Sequence, residues 1–334
     1  RIHNYYHYDG TLAEKVEFEN SSSYLDKYVF ENLYPRTNGH VTFDGTQYID
    51  VYGGPHTASV GMAGKPLGNT FDSSVVYDED KGRTSAFEYR GSEGITIEFW
   101  MKKDSIPNVR ECILEIWNED QATSPSLELS FFRSPNRFRL WMNSATVTAS
   151  RIDILSDIEL SSWNHYAIVI SNGDTETQIE TFVNGEFNST TPYTGKLFED
   201  ILPSSSGMNL RIGKRISTSS QPSLLEGSID EFRFWKTKRT PEQIYNSWFT
   251  QVGGGTNKND ANLDLGLYFK FNEGITGNDS LDEIVLDYSG RINNGYVTSY
   301  SSAFRNTGSA ITEKLGEPEF LDPIIYSSHP DVIS

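Results

Sequence analysis

The chain contains very little cysteine: Cys112 is the only one among 334 residues. One thiol allows neither an intrachain disulfide nor a zinc site built from several cysteines. Cys112 lies in the stretch Glu111–Leu114, whose apolar character is typical of a strand. We therefore expect a buried structural thiol and not a nucleophile.

Long apolar runs and basic residues are also scarce, and each limits the possible functions. No run of 18 apolar residues is present, so we expect no helix that spans a membrane. Basic residues are scarce, with 28 Lys and Arg against 46 Asp and Glu, and the net charge is −18. Because such a field repels phosphate groups, we expect no nucleic-acid partner. An acidic surface of this kind suits solubility or divalent cations.

Residues that favour β-structure are abundant, with 19 Phe, 18 Tyr and 6 Trp. In the run 95–102, apolar residues alternate with other residues, as in a strand with one face in a core. The apolar set is Ile95, Ile97, Phe99 and Met101, with Trp100 on the opposite face. Further strand-like runs lie at 41–51, 112–117, 127–132, 138–142, 147–149, 163–170, 178–183, 210–213, 227–235 and 267–274. Turn residues separate these runs at the spacing of an all-β sandwich.

The pair Asn184-Gly185 between two strand-like runs is the strongest short-range signal. A type I′ turn needs positive φ at both central residues, and Asn followed by Gly tolerates this best. The sequence therefore predicts a β-hairpin within 163–187.

Two short helices are expected. Thr240, Pro241 and Gln243 form a capping box with Pro at the first helical position, which predicts a helix near 240–248. Ser21–Ser23 can cap a second, N-terminal helix that ends before Pro35.

We expect three regions: a lead-in with a short helix at 1–39, an antiparallel two-sheet sandwich at 40–300, and an extended tail at 301–334 that leads to further sequence. The chain begins at Arg1 and not at Met, and it ends without a clear stop. We therefore expect it to be a piece of a longer polypeptide.

The order of several motifs resembles one family. These motifs are Phe43-Asp44-Gly45, Ile97-Glu98-Phe99-Trp100-Met101, Trp163-Asn164-His165-Tyr166-Ala167, Phe182-Val183-Asn184-Gly185, Leu210-Arg211-Ile212-Gly213, the run 227–235, and Tyr268–Gly274 with Asp287-Tyr288-Ser289-Gly290. Together they resemble the laminin-G/pentraxin-like branch of the concanavalin A-like lectin/glucanase superfamily over about residues 40–300. The resemblance implies a jelly roll of two antiparallel sheets, one of them concave.

The resemblance also suggests calcium, which prefers carboxylate, amide and carbonyl oxygens. Asn118, Glu119 and Asp120 stand where the first ligands of a pentraxin site would lie, but Lys214–Ser217 replace the later acidic cluster. This departure argues against a double-calcium site. A single structural Ca²⁺ is the milder hypothesis, with Asp44, Asp230, Asp287 and Asn293 as its candidate ligands. The alternative is that each of these side chains closes a turn.

Relatives of this fold that cleave β-glucans use a Glu-x-Asp-x-x-Glu pattern, which is absent here. Glu115 and Glu119 lack the middle Asp. Asp230 and Glu231 are adjacent, which would place them on opposite faces of a strand. His165 has no evident Ser or Cys partner. We therefore expect no enzyme, and a glycoside hydrolase of the same fold is the alternative.

Glycan binding pairs aromatic rings with amides or carboxylates, and the candidates are Trp117, Asn118, Trp141 and Tyr193. The alternative is that these side chains only pack in the core or at its rim. We expect any binding site in the loops at 53–94, 117–125 and 214–226.

The expected role is a non-catalytic recognition or structural module within a larger virion protein. That protein would be a tail, fibre or capsid-decorating protein. Its expected partners are other virion or surface subunits in an oligomer, together with cell-surface glycans. Virion proteins fold in a reducing cytosol, which suits a lone free thiol, whereas animal extracellular relatives usually carry disulfides. The alternative is an adhesin module on a bacterial surface.

Overall fold

A computed structural model of the protein describes residues 2–6, 12–17, 39–52, 89–106, 110–118, 126–133, 136–144, 147–193, 195–202, 208–216, 223–252, 264–289 and 293–315. Strands are numbered here in chain order. In the described residues, β1 (Ile2–Tyr6) and β2 (Leu12–Glu17) form a separate hairpin, and two larger antiparallel sheets have eight strands each. The expected all-β sandwich of two antiparallel sheets is confirmed.

The first sheet has the strand order β12-β11-β10-β5-β14-β3-β18, and β15 also pairs with β14. Its strands are β3 (Gly39–Asp44), β5 (Ile95–Lys102), β10 (Asn164–Asn172), β11 (Thr177–Val183), β12 (Glu186–Tyr193), β14 (Glu226–Trp235), β15 (Leu265–Phe269) and β18 (Arg305–Thr307).

The second sheet has the order β16-β17-β4-β13-β6-β7-β8-β9. Its strands are β4 (Tyr48–Tyr52), β6 (Glu111–Asn118), β7 (Ser126–Phe132), β8 (Arg137–Ser144), β9 (Val147–Ser156), β13 (Met208–Ile212), β16 (Ile284–Val285) and β17 (Gly295–Thr298).

Short helices connect the strands of the described chain. They are α1 (Phe198–Ile201), α2 (Pro241–Ser247), α3 (Asp279–Asp282) and α4 (Ala310–Leu315), with single 3-10 turns at Gly91–Glu93 and Ser302–Phe304. Among the described residues, none of the helices has the length and apolar content needed to cross a membrane.

The core lies between the two sheets, because the alternating pattern turns one apolar face of each sheet towards the other. Phe99 of β5 lies 6.1 Å, ring centre to ring centre, from Phe138 of β8 in the opposite sheet. Tyr166 of β10 approaches Phe138 to 4.8 Å. The predicted inward set of Ile95, Ile97, Phe99 and Met101 is part of this core.

The predicted hairpin connects β11 and β12. Asn184 has φ 51° and Gly185 has φ 80°, as a type I′ turn requires. The Asn184 side chain also accepts a hydrogen bond from the His165 backbone N–H at 2.9 Å and donates one to Asn164 at 2.9 Å. The turn is therefore hydrogen-bonded to β10 as well as to the two strands that it connects.

The capping box of α2 is also confirmed. The Gln243 backbone N–H donates to Thr240 Oγ1 at 3.2 Å, and the Thr240 backbone N–H donates to Gln243 Oε1 at 2.9 Å. These two bonds satisfy N–H groups that a helix start leaves without partners. The helix lies over the outer face of the first sheet and shields the charged residues there.

Those charged residues form a buried network beneath α2. Arg233 Nη1 donates to Ser247 O at 3.0 Å and to Glu98 at 3.4 Å, and Arg239 Nε lies 3.2 Å from Glu98. His165 is fully buried beside them, so it belongs to the framework. Burial alone would raise the pKa of Glu98, but the contacts with His165 and the two arginines outweigh it and lower this pKa to about 2. The outer face of the first sheet is thus a packed structural layer.

One expectation from the sequence is untested, and two differ from the structure. The predicted helix after Ser21–Ser23 lies outside the described residues. Residues 301–315 are not an extended tail, because β18 pairs with β3 and α4 follows it. Asp230 and Glu231 do not alternate, because the register shifts between Asp230 and Arg233 and Glu231 has φ 50°. This bulge turns both carboxylates to the outer side of the sheet.

Candidate ligand-binding face

The outward face of the second sheet carries a continuous row of polar and aromatic side chains. Each member is the direct cross-strand neighbour of the next, from β17 to β9. This central row consists of Tyr296, Asp50, Arg211, Glu115, Glu128, Trp141 and Arg151. Apolar core residues flank five members of the row in their strands, so strand alternation turns these members outward: Asp50, Arg211, Glu115, Glu128 and Trp141.

A second row runs parallel to the central row, two residues further along the strands. It contains Asn209, Trp117, Ser126 and Asn143. Amide, hydroxyl and indole groups therefore flank the charged groups on the same face. This mixture of rings and planar polar groups offers a ligand both apolar and hydrogen-bonding contacts.

Arg211 and Asp50 form a bidentate ion pair on this face. Arg211 Nε and Nη2 donate to the two carboxylate oxygens of Asp50 at 2.6 and 3.2 Å. The Arg211 guanidinium also lies 4.5 Å from the ring centre of Tyr48 and 5.8 Å from that of Trp117. The bidentate geometry and the ring contacts fix the orientation of this guanidinium.

Glu128 is held by two guanidinium groups from loops beside the sheet. Arg215 Nε lies 3.0 Å and Arg110 Nη1 lies 3.5 Å from its carboxylate oxygens, and Ser130 also donates to it. Its neighbour Glu115 accepts the Ile216 backbone N–H at 2.7 Å. Burial raises the pKa of Glu115, and the nearby charge of Glu128 adds to the increase.

Trp141 lies among three guanidinium groups. The ring centre is 4.5 Å from Arg151, 4.6 Å from Arg215 and 5.7 Å from Arg110, measured to the guanidinium carbon. All three distances are within the range of cation–π attraction. The indole N–H of Trp141 is buried and has no hydrogen-bond acceptor in the described part of the chain.

The profile of the concanavalin A-like lectin/glucanases superfamily, in its laminin G form, matches residues 79–245, which is half of the chain. The chain belongs to this superfamily. The resemblance seen in the sequence motifs is therefore confirmed at this level. No curated protein shows significant sequence similarity to the chain.

Several solved structures are similar to this concanavalin A-like domain. A Bacteroides ovatus protein to which carbohydrate binding is ascribed has 16% identity and a TM-score of 0.48, and the match covers 81% of this chain and 60% of that one. The chain thus spans about three fifths of that protein. The heptameric SAP-like pentraxin of Limulus polyphemus has 13% identity and a TM-score of 0.40, with 62% and 80% covered. The CBM40 of the Ruminococcus gnavus sialidase, solved with sialyllactose, has 17% identity and a TM-score of 0.37, with 47% and 84% covered.

The glycan candidates predicted from the sequence fall in different places. Trp117 and Trp141 are half-buried on the outward face, in adjacent rows. Asn118 follows Trp117 as the last residue of β6. Tyr193 lies in the core, where its hydroxyl donates to Met142 O at 3.1 Å. Of the loops expected to bind, 53–88, 119–125 and 217–222 lie outside the described residues.

The four metal candidates of the concanavalin A-like domain are not brought together. Both oxygens of Asp287 accept hydrogen bonds, among them those from the backbone N–H groups of Tyr268, Ser289 and Asn293 at 3.1, 2.9 and 3.0 Å. Asp287 and Asn293 therefore close one turn. Within the described ranges, no group of three or more His, Cys, Asp or Glu side chains could hold a metal.

Asp44 and Asp230 lie elsewhere and have their own partners. Asp44 accepts the backbone N–H of Thr46 at 3.0 Å, and this hydrogen bonding, chiefly with the Thr46 hydroxyl, lowers the pKa of Asp44. Asp230 is buried and accepts the Ala310 backbone N–H at 2.9 Å. Burial raises the pKa of Asp230 well above its ordinary value. Each side chain stabilises a local backbone feature.

Sequence reasoning missed most of the central row. The available signal was a charged residue between two aliphatic ones, as in Ile49-Asp50-Val51, Leu210-Arg211-Ile212 and Leu127-Glu128-Leu129. Such a triplet predicts an outward charge on a strand that is buried on its other side. The pattern does not reveal which charges meet, because the register between distant strands is a tertiary property.

Proposed function

We propose that the domain is a non-catalytic glycan-binding module, and that the outward face of the second sheet binds the sugar. The observation that carries the proposal is the central row, in which ion-paired donors and acceptors lie side by side across the strands. Neighbouring hydroxyl groups of a sugar can donate to a carboxylate and accept from a guanidinium at the same time. Because ion pairs already hold these groups, little side-chain freedom is lost on binding.

The experiment is a titration of the folded domain with a panel of plant, bacterial and host oligosaccharides. Arg211→Met should weaken binding at least tenfold, because it removes the fixed donors beside Asp50 and Trp117. Phe187→Ala is the matched control, since Phe187 is exposed on β12 of the other sheet. Absence of binding at millimolar sugar, or equal binding by the Arg211 variant, contradicts the proposal.

A glycoside hydrolase is the alternative. One observation favours it: Glu115 and Glu128 are direct cross-strand neighbours, and retaining hydrolysis needs two carboxyl groups about 5 Å apart. Against it, Glu128 is engaged by Arg110 and Arg215, which leaves it poorly placed to attack a sugar. Release of reducing ends from any bound oligosaccharide would favour the hydrolase and contradict a binding-only role.

We propose that the domain serves within a larger virion protein, with a bacterial-surface adhesin as the alternative. The chain has a single cysteine, which supports folding in a reducing cytosol. Cys112 is buried without a disulfide partner. Mass spectrometry of purified particles and of washed cell envelopes separates the two roles. Peptides confined to the envelope fraction contradict the virion role.

A further inference from the structure

Positive charge is concentrated at the Trp141 end of the central row, in a chain whose net charge is −18. Arg110, Arg151 and Arg215 all approach the same indole ring. Burial lowers the pKa of Arg110; the charge of Glu128 opposes this shift, and the charges of Arg215 and Arg151 add to it. Like charges that gather in this way repel each other, so an anion between them would be stabilised.

The protein neutralises only part of this charge. Arg110 and Arg215 share one carboxylate, that of Glu128. Arg151 is exposed and makes no ion pair within the described ranges. Three guanidinium groups therefore face a single paired carboxylate at this end of the row.

Arg139, two residues from Trp141 on the same strand, provides an internal comparison. Its Nε and Nη2 donate to the two oxygens of Asp153 at 2.6 and 3.2 Å. This outward arginine of β8 is therefore paired with a carboxylate of a neighbouring strand, although Arg137 Nε also lies 3.1 Å from Asp153. Arg151, by contrast, has no carboxylate at ion-pair distance within the described ranges.

An unused donor lies at the same point. The indole N–H of Trp141 is buried and lacks an acceptor among the described residues. A buried donor without a partner destabilises the folded state. An oxygen atom of a bound ligand would supply the missing acceptor.

We propose that the Trp141 end of the central row binds an acidic sugar, one that carries a carboxylate or a sulfate group. The proposal rests on the glycan-binding function above and names its ligand class. The anionic group lies against Arg151 and Arg215 and accepts the Trp141 N–H. The sugar ring extends along the row towards Arg211, whose guanidinium, held by Asp50, hydrogen-bonds its hydroxyls.

Two pairs of probes test the proposal by calorimetric titration. One pair is trigalacturonate and its fully methyl-esterified form; the other is a sulfated galactan oligosaccharide and its desulfated form. We expect one acidic probe to bind at least tenfold more tightly than its neutral partner, and the pair that shows this distinguishes carboxylate from sulfate. Raising the salt concentration should reduce the difference, because exposed charges are screened.

Arg151→Gln should remove most of the difference between acidic and neutral probes, whereas Arg139→Gln should leave it unchanged. Both side chains lie at the surface, and a melting curve confirms that each variant folds. Equal binding of acidic and neutral probes, or an unaltered preference in Arg151→Gln, overturns the proposal while glycan binding stands. If no probe and no other glycan binds, the proposed function fails as well.

Discussion

Glu115 and Glu128 are direct cross-strand neighbours on β6 and β7, although both are carboxylates and both are buried. Like charges directly opposite each other destabilise a sheet. The pair persists because Arg110 and Arg215 compensate Glu128, and the Ile216 N–H donates to Glu115. A structural network on this face thus keeps the groups of the central row in fixed positions.

Glu115→Gln should make the domain at least as stable as the wild type at pH 7, by up to about 1 kcal/mol. The amide keeps an acceptor for Ile216 N–H and removes one of two like charges. Since the folded-state pKa of Glu115 is raised above its ordinary 4.5, its ionisation lowers wild-type stability as pH rises above that value. The gain should therefore be larger at pH 7 than at pH 4 in urea unfolding.

Glu128→Gln is the contrasting variant, because it leaves Arg110 and Arg215 without a carboxylate. A loss of about 1–3 kcal/mol is expected at pH 7. If Glu115→Gln is the more destabilising of the two, the charge balance described for this face is wrong.

Glu98→Gln should reduce the free energy of unfolding by about 3–5 kcal/mol at pH 7, since it leaves Arg233 and Arg239 buried without their shared carboxylate. The folded-state pKa of Glu98 is lowered to about 2 from 4.5. Its stabilisation is therefore complete above pH 4.5 and is lost as pH falls towards 2.

The difference between wild type and Glu98→Gln should consequently shrink between pH 5 and pH 2.5 in chemical unfolding. Lys238→Gln is the control, because its ion pair with Glu180 is 3.0 Å long but exposed, and such pairs contribute little. If the difference in unfolding free energy stays constant with pH, the buried network does not lower the pKa of Glu98.

Gly185→Ala should destabilise the protein by more than the cost of placing a Cβ on a left-handed backbone. A Cβ at this position would lie 2.2 Å from Trp248 Cδ1, and φ is +80°. Gly277 has the same φ of +80° with nothing within 4 Å of an added Cβ. Gly277→Ala therefore reports the cost of the left-handed backbone alone, about 1–2 kcal/mol, and Gly185→Ala adds about 1–3 kcal/mol of overpacking.

The measurement is the melting temperature of both variants. Similar shifts in the two would mean that the ring of Trp248 moves away freely, and that the turn is not packed as described. A larger shift in Gly185→Ala supports the close contact between the hairpin turn and the residues that follow α2.

Local signals in the sequence predicted local structure well. Asn184-Gly185 predicted the type I′ turn, Thr240 with Gln243 predicted the capping box, and Cys112 is buried as expected. Each depends on the conformational preferences of a few adjacent residues. The bulge at Asp230 was missed, because a left-handed φ at Glu231 has no signature in its own residue type.

By itself, the sequence determined the fold class, the superfamily and the faces of the strands, because period-two alternation and turn chemistry act over a few residues. Only the tertiary structure decided that Asp50, Glu115 and Glu128 belong to one row, and that three arginines gather at Trp141. Strands β4 and β13 are neighbours although the paired residues Asp50 and Arg211 are 161 positions apart in the chain. Register between such distant strands is set by packing of the whole core, and the candidate binding face is a product of that register.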